Sequence, residues 1–231
     1  MQKLTHYPLC PKSRSIRLAL SELQVDYELA YEEPWVWRPA FLAINPSGAL
    51  PVLELNKSVV ICGTYAISEY LAERYPDHPN DHGPPPILPG NLEAKSEIRR
   101  LVDWFHLKFN NEITSEILYE KHFRRLIDEQ ACAPSSEALR TIARNQRYHL
   151  EYISFLADHR SWLAGIHLSF ADLAAGAHIS VLDYLGVIDW RDYPSASQWY
   201  ARLKSRQSFI PILEDDLPNY PPSEHYKDLD Q

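Results

Sequence analysis

Apolar and polar positions alternate along the first 75 residues in a pattern typical of a small mixed sheet. One segment, 15–23, instead places apolar side chains at helical spacing. Four short runs have the length and composition of β-strands, at 3–7, 26–32, 50–55 and 59–62. The first strand, the helix and the second strand predict a βαβ unit, and the last two strands complete the sheet.

The stretch 45–71 carries the strongest local signals. It opens with Asn45-Pro46-Ser47-Gly48, a run of turn-forming residues. Pro51 opens the strand that follows, because proline cannot donate to a sheet ladder. Its position after a glycine-containing turn makes it a candidate cis peptide. Thr64 is placed to cap a helix that begins near Tyr65.

Beyond residue 75 the pattern changes to a proline-rich linker and then to helices throughout. Ser169-x-x-Asp172 has the form of a capping box, which is a folding signal and not a catalytic one. The last residues combine acids, prolines and tyrosines, so we expect them to lie extended on the protein. The sequence thus predicts four segments, with bounds 1–76, 77–91, 92–214 and 215–231.

Composition and charge exclude several classes of function. The 231 residues carry a formal net charge of −8, whereas a nucleic-acid surface needs a basic excess. No apolar run is long enough to span a bilayer, and the N-terminus is too polar for a signal peptide, so we expect no membrane insertion. Three cysteines without a pairing pattern indicate the cytoplasm. His78 and His82 are four residues apart, but prolines around them prevent a helix, and we expect no metal site.

The motif N-P-S-G-x-x-P-V-L, followed by x-A-I-x-x-Y-L, resembles the thioredoxin-like half of the cytosolic glutathione transferases. That resemblance implies an α/β plus all-α protein, with a thioredoxin-like N-terminal domain and a C-terminal helical bundle. It also implies that the backbone of Leu50, before Pro51, meets the cysteinyl amide of glutathione. Thr64 stands where the family has serine, and Gly63 where it has an acid. Since a hydrogen bond to a charged group is worth about 1.5–3 kcal/mol, we expect glutathione binding to be about ten- to hundredfold weaker, or absent.

Cys10 lies in the turn before the first helix. In the resemblance it falls where several classes keep a catalytic serine, and where omega-type thiol transferases keep Cys-Pro. A thiolate there would be stabilised by the helix dipole and by Arg14 and Arg17. Tyr7 is an alternative, because some classes use a tyrosine at the end of the first strand. Both residues also have plain structural interpretations, as a turn residue and as core packing.

Pro34-Trp35-Val36-Trp37-Arg38-Pro39 is the most unusual local composition in the chain. Tryptophan and arginine are over-represented in binding hot spots, so this segment is a candidate partner site. We expect one tryptophan to be buried and the other exposed. The late helix and the tail add further candidates for the same surface, namely Arg202, Arg206, Tyr226 and Asp228.

Three features separate this sequence from an ordinary transferase: Gly63, the Trp-Val-Trp-Arg segment and the acidic tail. Together they resemble a branch of transferase-like bacterial division proteins that bind the tubulin-like protein FtsZ. This implies a homodimer at the division site that binds FtsZ filaments and regulates their curvature and constriction, without a cofactor. The alternative is a glutathione-dependent transferase or thiol reductase that uses Cys10.

Overall fold

The computed structural model describes residues 1–56, 58–76, 83–127, 133–218 and 220–229. Its N-terminal part contains a four-stranded sheet in the order β2-β1-β3-β4. β1 pairs with β2 in parallel and with β3 antiparallel, and β3 pairs with β4 antiparallel. The predicted mixed sheet is therefore confirmed, with strands β1 (Gln2–His6), β2 (Tyr27–Tyr31), β3 (Val52–Asn56) and β4 (Val59–Cys62).

Three helices accompany the sheet, α1 (Pro11–Glu22), α2 (Pro39–Ile44) and α3 (Thr64–Arg74). α1 begins four residues before the predicted start because Pro11 suits the first helical position, where an N–H would have no helical partner anyway. The prediction that Thr64 caps α3 is wrong. Gly63, with φ 89°, is the cap residue, and Thr64 is the first residue of the helix itself.

The turn before β3 has the structure that its residues predict. The Leu50-Pro51 peptide is cis, and Pro51 directly precedes the strand. The side chain of Asn45 fixes the turn, since its amide donates to the Ala49 carbonyl (2.8 Å) and its oxygen accepts from the Ser47 hydroxyl (2.9 Å). This geometry holds the backbone of Leu50 at the edge of the cleft described below.

The C-terminal half is helical. Its first helical path starts with α4 (Leu92–Asp103) and continues through π-helical turns at Trp104–Thr114 and Tyr119–Phe123, with α5 (Ser115–Leu118) and α6 (Arg124–Ile127) between and after them. Four more helices follow, α7 (Ser136–His159), α8 (Phe170–Tyr184), α9 (Pro194–Lys204) and α10 (Ile210–Leu213). Every residue of α8 is buried, and α1 packs against it, so this helix is the core that joins the two halves.

The capping box at the start of α8 is confirmed. The Asp172 carboxylate accepts from the Ser169 backbone N–H (3.1 Å), and the same carboxylate accepts from the Leu163 N–H (2.8 Å) and the Trp199 indole (3.0 Å). Burial raises the pKa of Asp172, while these donors oppose that shift. Asp172 thus anchors three segments of the helical half.

The last described residues, 220–229, pack against the folded protein, as expected, but with a turn at 224–227 in place of a fully extended path. The Ser223 N–H donates to the Tyr184 carbonyl (2.9 Å), and the Tyr226 hydroxyl donates to the Ile212 carbonyl (3.0 Å). Tyr226 is completely buried. The tail is therefore part of the folded core.

Candidate functional site

A cleft of about 900 Å³ separates the sheet domain from the first long helical path. Leu50, Gly63 and Thr64 line one wall, and Asp103 and His106 line the other. The Thr64 hydroxyl is buried and has no hydrogen-bond partner among the described residues. A buried hydroxyl without a partner costs free energy, so this position is suited to a polar ligand atom.

The residues of this cleft fit glutathione only in part. The cis Leu50-Pro51 peptide and the Thr64 hydroxyl are present, but Gly63 supplies no carboxylate for the γ-glutamyl amine. Glu69 also lines the cleft, yet Arg99 binds both of its oxygens, at 3.0 and 2.8 Å. Glu69 is therefore already neutralised, and the structure gives it no role as a substitute acid.

Cys10 is the cap residue of α1 and is half-buried. The two arginines expected to stabilise its thiolate bind other groups. Arg14 donates to the Pro8 carbonyl (2.6 Å) and the Ser180 hydroxyl (2.8 Å), and Arg17 pairs with Asp215 (2.7 Å). The proposed electrostatic activation is thus not supported, because these guanidiniums hold α1 against the C-terminal half.

Tyr7 is buried, and its hydroxyl and Nε2 of His122 are hydrogen-bonded at 2.5 Å. Burial raises the pKa of Tyr7, which disfavours a phenolate, and burial lowers the pKa of His122, which keeps that ring neutral. Aromatic rings pack around this pair, with Trp35 at 4.9 Å and Phe123 at 6.0 Å from Tyr7. We call these residues, with Tyr220 at 5.0 Å from His122, the aromatic cluster.

The two tryptophans differ in exposure, although neither is fully buried. Trp35 is half-buried in the aromatic cluster, whereas Trp37 is 61% exposed. Trp37 also has a left-handed backbone with φ 54°, a conformation that is uncommon and costly for a large side chain. Its ring lies against Gly48, where an added Cβ would be only 3.0 Å from a ring carbon. The fold thus holds this indole at the surface over the 45–48 turn.

Arg38 does not contribute a free positive charge beside Trp37. Its guanidinium binds both oxygens of Glu32, at 2.9 and 2.5 Å, and Glu32 is buried. Nearby Glu33 adds a further acid, whose carboxylate accepts from the Tyr31 hydroxyl at 2.9 Å. The predicted basic and aromatic patch is therefore aromatic, and the charged side chains around it carry a net negative charge.

Arg202 and Arg206 lie elsewhere. Arg206 binds both oxygens of Glu22, at the end of α1, whereas Trp35 packs beside Tyr7, before α1 begins. The 12 residues of α1 span roughly 18 Å at about 1.5 Å per residue, so the two groups are at opposite ends of that helix. Arg202 instead stacks on Trp162 at 4.2 Å. The structure does not bring these arginines together with Trp37.

Two residues of the late segments are buried. Lys204, between Arg202 and Arg206 in the sequence, is buried and pairs with Asp183 at 3.2 Å. Tyr226 is buried and accepts a hydrogen bond from Arg14 at 3.1 Å, so its side chain is unavailable to a partner. Asp228 is exposed and stays a candidate contact.

An exposed apolar face escaped the sequence analysis. Tyr65, Leu92 and Leu107 are largely exposed on α3 and on the first helical path, and Tyr65 and Leu107 line the same cleft. Large apolar side chains on one exposed face indicate an interaction surface. The sequence feature that could have revealed them is their position on the polar side of these helices.

The described residues contain neither a metal-binding cluster nor a membrane-spanning helix. Within the described residues there is no group of three or more His, Cys, Asp and Glu side chains that could hold a metal ion. His78 and His82 lie outside that part of the chain. None of the described helices is both long and apolar enough to cross a membrane.

A thioredoxin-like sheet with a cis proline, followed by a helical half, is the fold of the glutathione transferases, and residues 4–84 match the family model for the glutathione S-transferase N-terminal domain. Over its full length the chain is 43% identical to FtsZ-localized protein A of Caulobacter vibrioides, with 98% of this chain and 97% of that protein covered. The chain therefore belongs to the glutathione transferase-like family that includes FtsZ-localized protein A.

Solved structures give the same family under two names. FzlA from C. crescentus is 42% identical, with a TM-score of 0.92 and coverage of 100% of this chain and 99% of that one. A glutathione S-transferase from Sinorhizobium meliloti 1021 is 44% identical, with a TM-score of 0.93 and full coverage of both chains. Similarity of this degree fixes the fold, and the choice between adaptor and enzyme rests on the site.

Proposed function

We propose that this protein is an adaptor that binds FtsZ filaments at the bacterial division site and regulates their curvature and constriction. The similarity to FtsZ-localized protein A over nearly the whole chain supports this partner. The proposal assigns the cleft no essential glutathione chemistry, because Gly63 supplies no acid and the two arginines expected to stabilise a Cys10 thiolate bind other groups.

The observation that carries the binding proposal is Trp37. A tryptophan that is 61% exposed and held in a left-handed backbone is unfavourable for the isolated chain. Tryptophan is also the residue most enriched in binding hot spots. The packing of its ring on Gly48, together with the Arg38–Glu32 pair beside it, preorganises the indole, which reduces the entropy lost on binding.

We further propose that the protein acts as a homodimer through the exposed apolar face of Tyr65, Leu92 and Leu107. Two Trp37 sites on one particle can bind two points of a filament or two neighbouring filaments. The second binding event is then intramolecular, so its effective concentration reaches about the millimolar range for a short separation. Dimerisation would thus turn a modest single-site affinity into stable filament binding.

Co-sedimentation with purified FtsZ filaments tests the adaptor proposal directly. The protein should pellet with filaments assembled with GTP and stay in the supernatant when FtsZ is kept unpolymerised with GDP. Electron microscopy of the pellets should show curved or bundled filaments. If the protein stays in the supernatant at every filament concentration tested, the adaptor proposal is wrong.

A second candidate is a glutathione-dependent transferase or thiol reductase that uses Cys10. The unpartnered Thr64 hydroxyl and the cis Leu50-Pro51 peptide favour it, because both belong to a glutathione site. Titration calorimetry separates the two functions. We expect glutathione to bind with millimolar or weaker affinity. Micromolar binding, with turnover lost in Cys10→Ser, would establish the enzyme instead.

A further inference from the structure

The outer edge of β2 is open. β2 is the end strand of the sheet, and among the residues that the structure describes β1 is its only neighbour in the ladder. The Glu32 N–H donates to the His6 carbonyl of β1. Because backbone groups alternate in direction along a strand, the even-numbered residues of β2 face β1. The N–H and C=O groups of Tyr27, Leu29 and Tyr31 consequently point away from β1, and among the described residues no group is hydrogen-bonded to their N–H groups.

The side chains at this edge alternate in character. Leu29 is 45% and Tyr31 50% exposed, and both lie on one face of the strand, because side chains alternate with period two. Glu28 and, just before the strand, Asp26 lie on the other face. Lys3 is opposite Glu28 in the register but pairs with Glu54 at 2.6 Å. Within the described chain, neither Asp26 nor Glu28 forms an ion pair.

We infer that this edge binds an extended segment of a partner protein in which basic and apolar residues alternate. Such a segment would add a fifth strand and satisfy the outward backbone groups. Its apolar side chains would lie beside Leu29 and Tyr31, and its lysines or arginines beside Glu28 and Asp26, as cross-strand neighbours do. A second copy of the same edge is disfavoured, because it would bring two acidic strands together.

This surface differs from the proposed filament site but adjoins it at Tyr31, whose hydroxyl donates to Glu33. Trp37 itself lies over Gly48, which leads into β3, and β3 is on the far side of β1 from β2. The inference is drawn from the backbone and the charges of β2 and does not rest on FtsZ binding.

The probe is an end-blocked nine-residue peptide of alternating lysine and valine, and the control peptide replaces each lysine with glutamate. Amide hydrogen exchange of the full chain is measured by NMR with and without peptide. The lysine peptide should slow exchange of the Leu29 and Tyr31 amides at least fivefold. The glutamate peptide at the same concentration should leave both rates unchanged.

Variants of the edge sharpen the test. Glu28→Lys should reverse the preference between the two peptides, while the charge-matched control Glu73→Lys, on exposed α3 surface, should not change it. Leu29→Pro should abolish binding, because it removes an outward N–H that is not part of the β1 ladder, whereas Leu29→Thr should retain it. If the proline variant does not fold, the Glu28→Lys comparison still decides.

Three results would overturn the inference. One is protection that appears at other amides and not at Leu29 and Tyr31. Another is equal binding of the two peptides in the wild-type protein. The third is protection of these amides that depends on protein concentration without any peptide, since that would show that two copies of the chain pair through β2.

Discussion

Replacement of Trp37 by alanine should remove most of the proposed affinity for FtsZ filaments. A tryptophan side chain buries roughly 150–250 Å² when fully enclosed, and 61% of this residue is exposed and available. The partner would therefore cover roughly 90–150 Å² of indole, worth about 2–4 kcal/mol at about 25 cal/mol per Å². That corresponds to a dissociation constant raised roughly 30- to 900-fold.

The same substitution should change stability little. Alanine meets a strain similar to that of tryptophan at φ 54°, and the lost packing is confined to one side of an exposed ring. The assay is co-sedimentation at a series of filament concentrations, with the melting temperature and the dimer mass measured in parallel. Phe155→Ala is the matched control, because Phe155 is 55% exposed but lies on α7.

The results distinguish a binding role of Trp37 from a structural one. Wild-type affinity in Trp37→Ala would refute the assignment of this surface, and so would an equal loss in Phe155→Ala. A loss of affinity accompanied by a lower melting temperature would instead indicate that the indole supports the fold.

Three further predictions concern assembly, the cleft and pH. Leu107→Asp should convert the dimer to a monomer near the single-chain mass of 26.8 kDa in sedimentation, with the fold intact. Gly63→Glu should raise glutathione affinity less than tenfold by calorimetry, because φ 89° costs a side chain about 1–3 kcal/mol and offsets the new hydrogen bond. Burial lowers the pKa of His106 to about 3, so the folded state binds fewer protons than the unfolded chain below about pH 6.5, and stability falls as the pH falls. Between pH 7 and 5 His106 should contribute about 2 kcal/mol to this loss. Because burial also lowers the pKa of His6 and His178, His106→Gln should reduce the loss by about that amount without abolishing it, as measured by urea denaturation.

The sequence predicted those parts of the fold that depend on neighbouring residues. The cis Leu50-Pro51 peptide, the turn at 45–48 and the Ser169–Asp172 capping box all have their determinants within a few positions of one another. The family motif covers the same local features. The exposure of one of the two tryptophans was also predictable, because two tryptophans between prolines cannot both pack in a small core, but the local sequence did not say which one.

The charged residues were predicted poorly, because their partners are far away in the chain. Arg14 binds Ser180, 166 positions later, and Arg206 binds Glu22, 184 positions earlier. The local sequence around each arginine does not show these distant partners, so it allowed a functional interpretation of either residue. The burial of Lys204 against Asp183 has the same explanation. A surface patch defined by charge therefore required the three-dimensional structure.

The pairing of α1 with the tail has a consequence for synthesis on the ribosome. Arg14 and Arg17 are among the first residues made, whereas Asp215 and Tyr226, which bind them, are among the last. At about 5–20 residues per second, roughly 10–40 s separate the emergence of the two groups. During that interval the two guanidiniums lack these partners, so this contact between α1 and the C-terminal segment forms last. A nascent chain that terminates before residue 215 lacks both Asp215, the ionic partner of Arg17, and Tyr226, which accepts from Arg14.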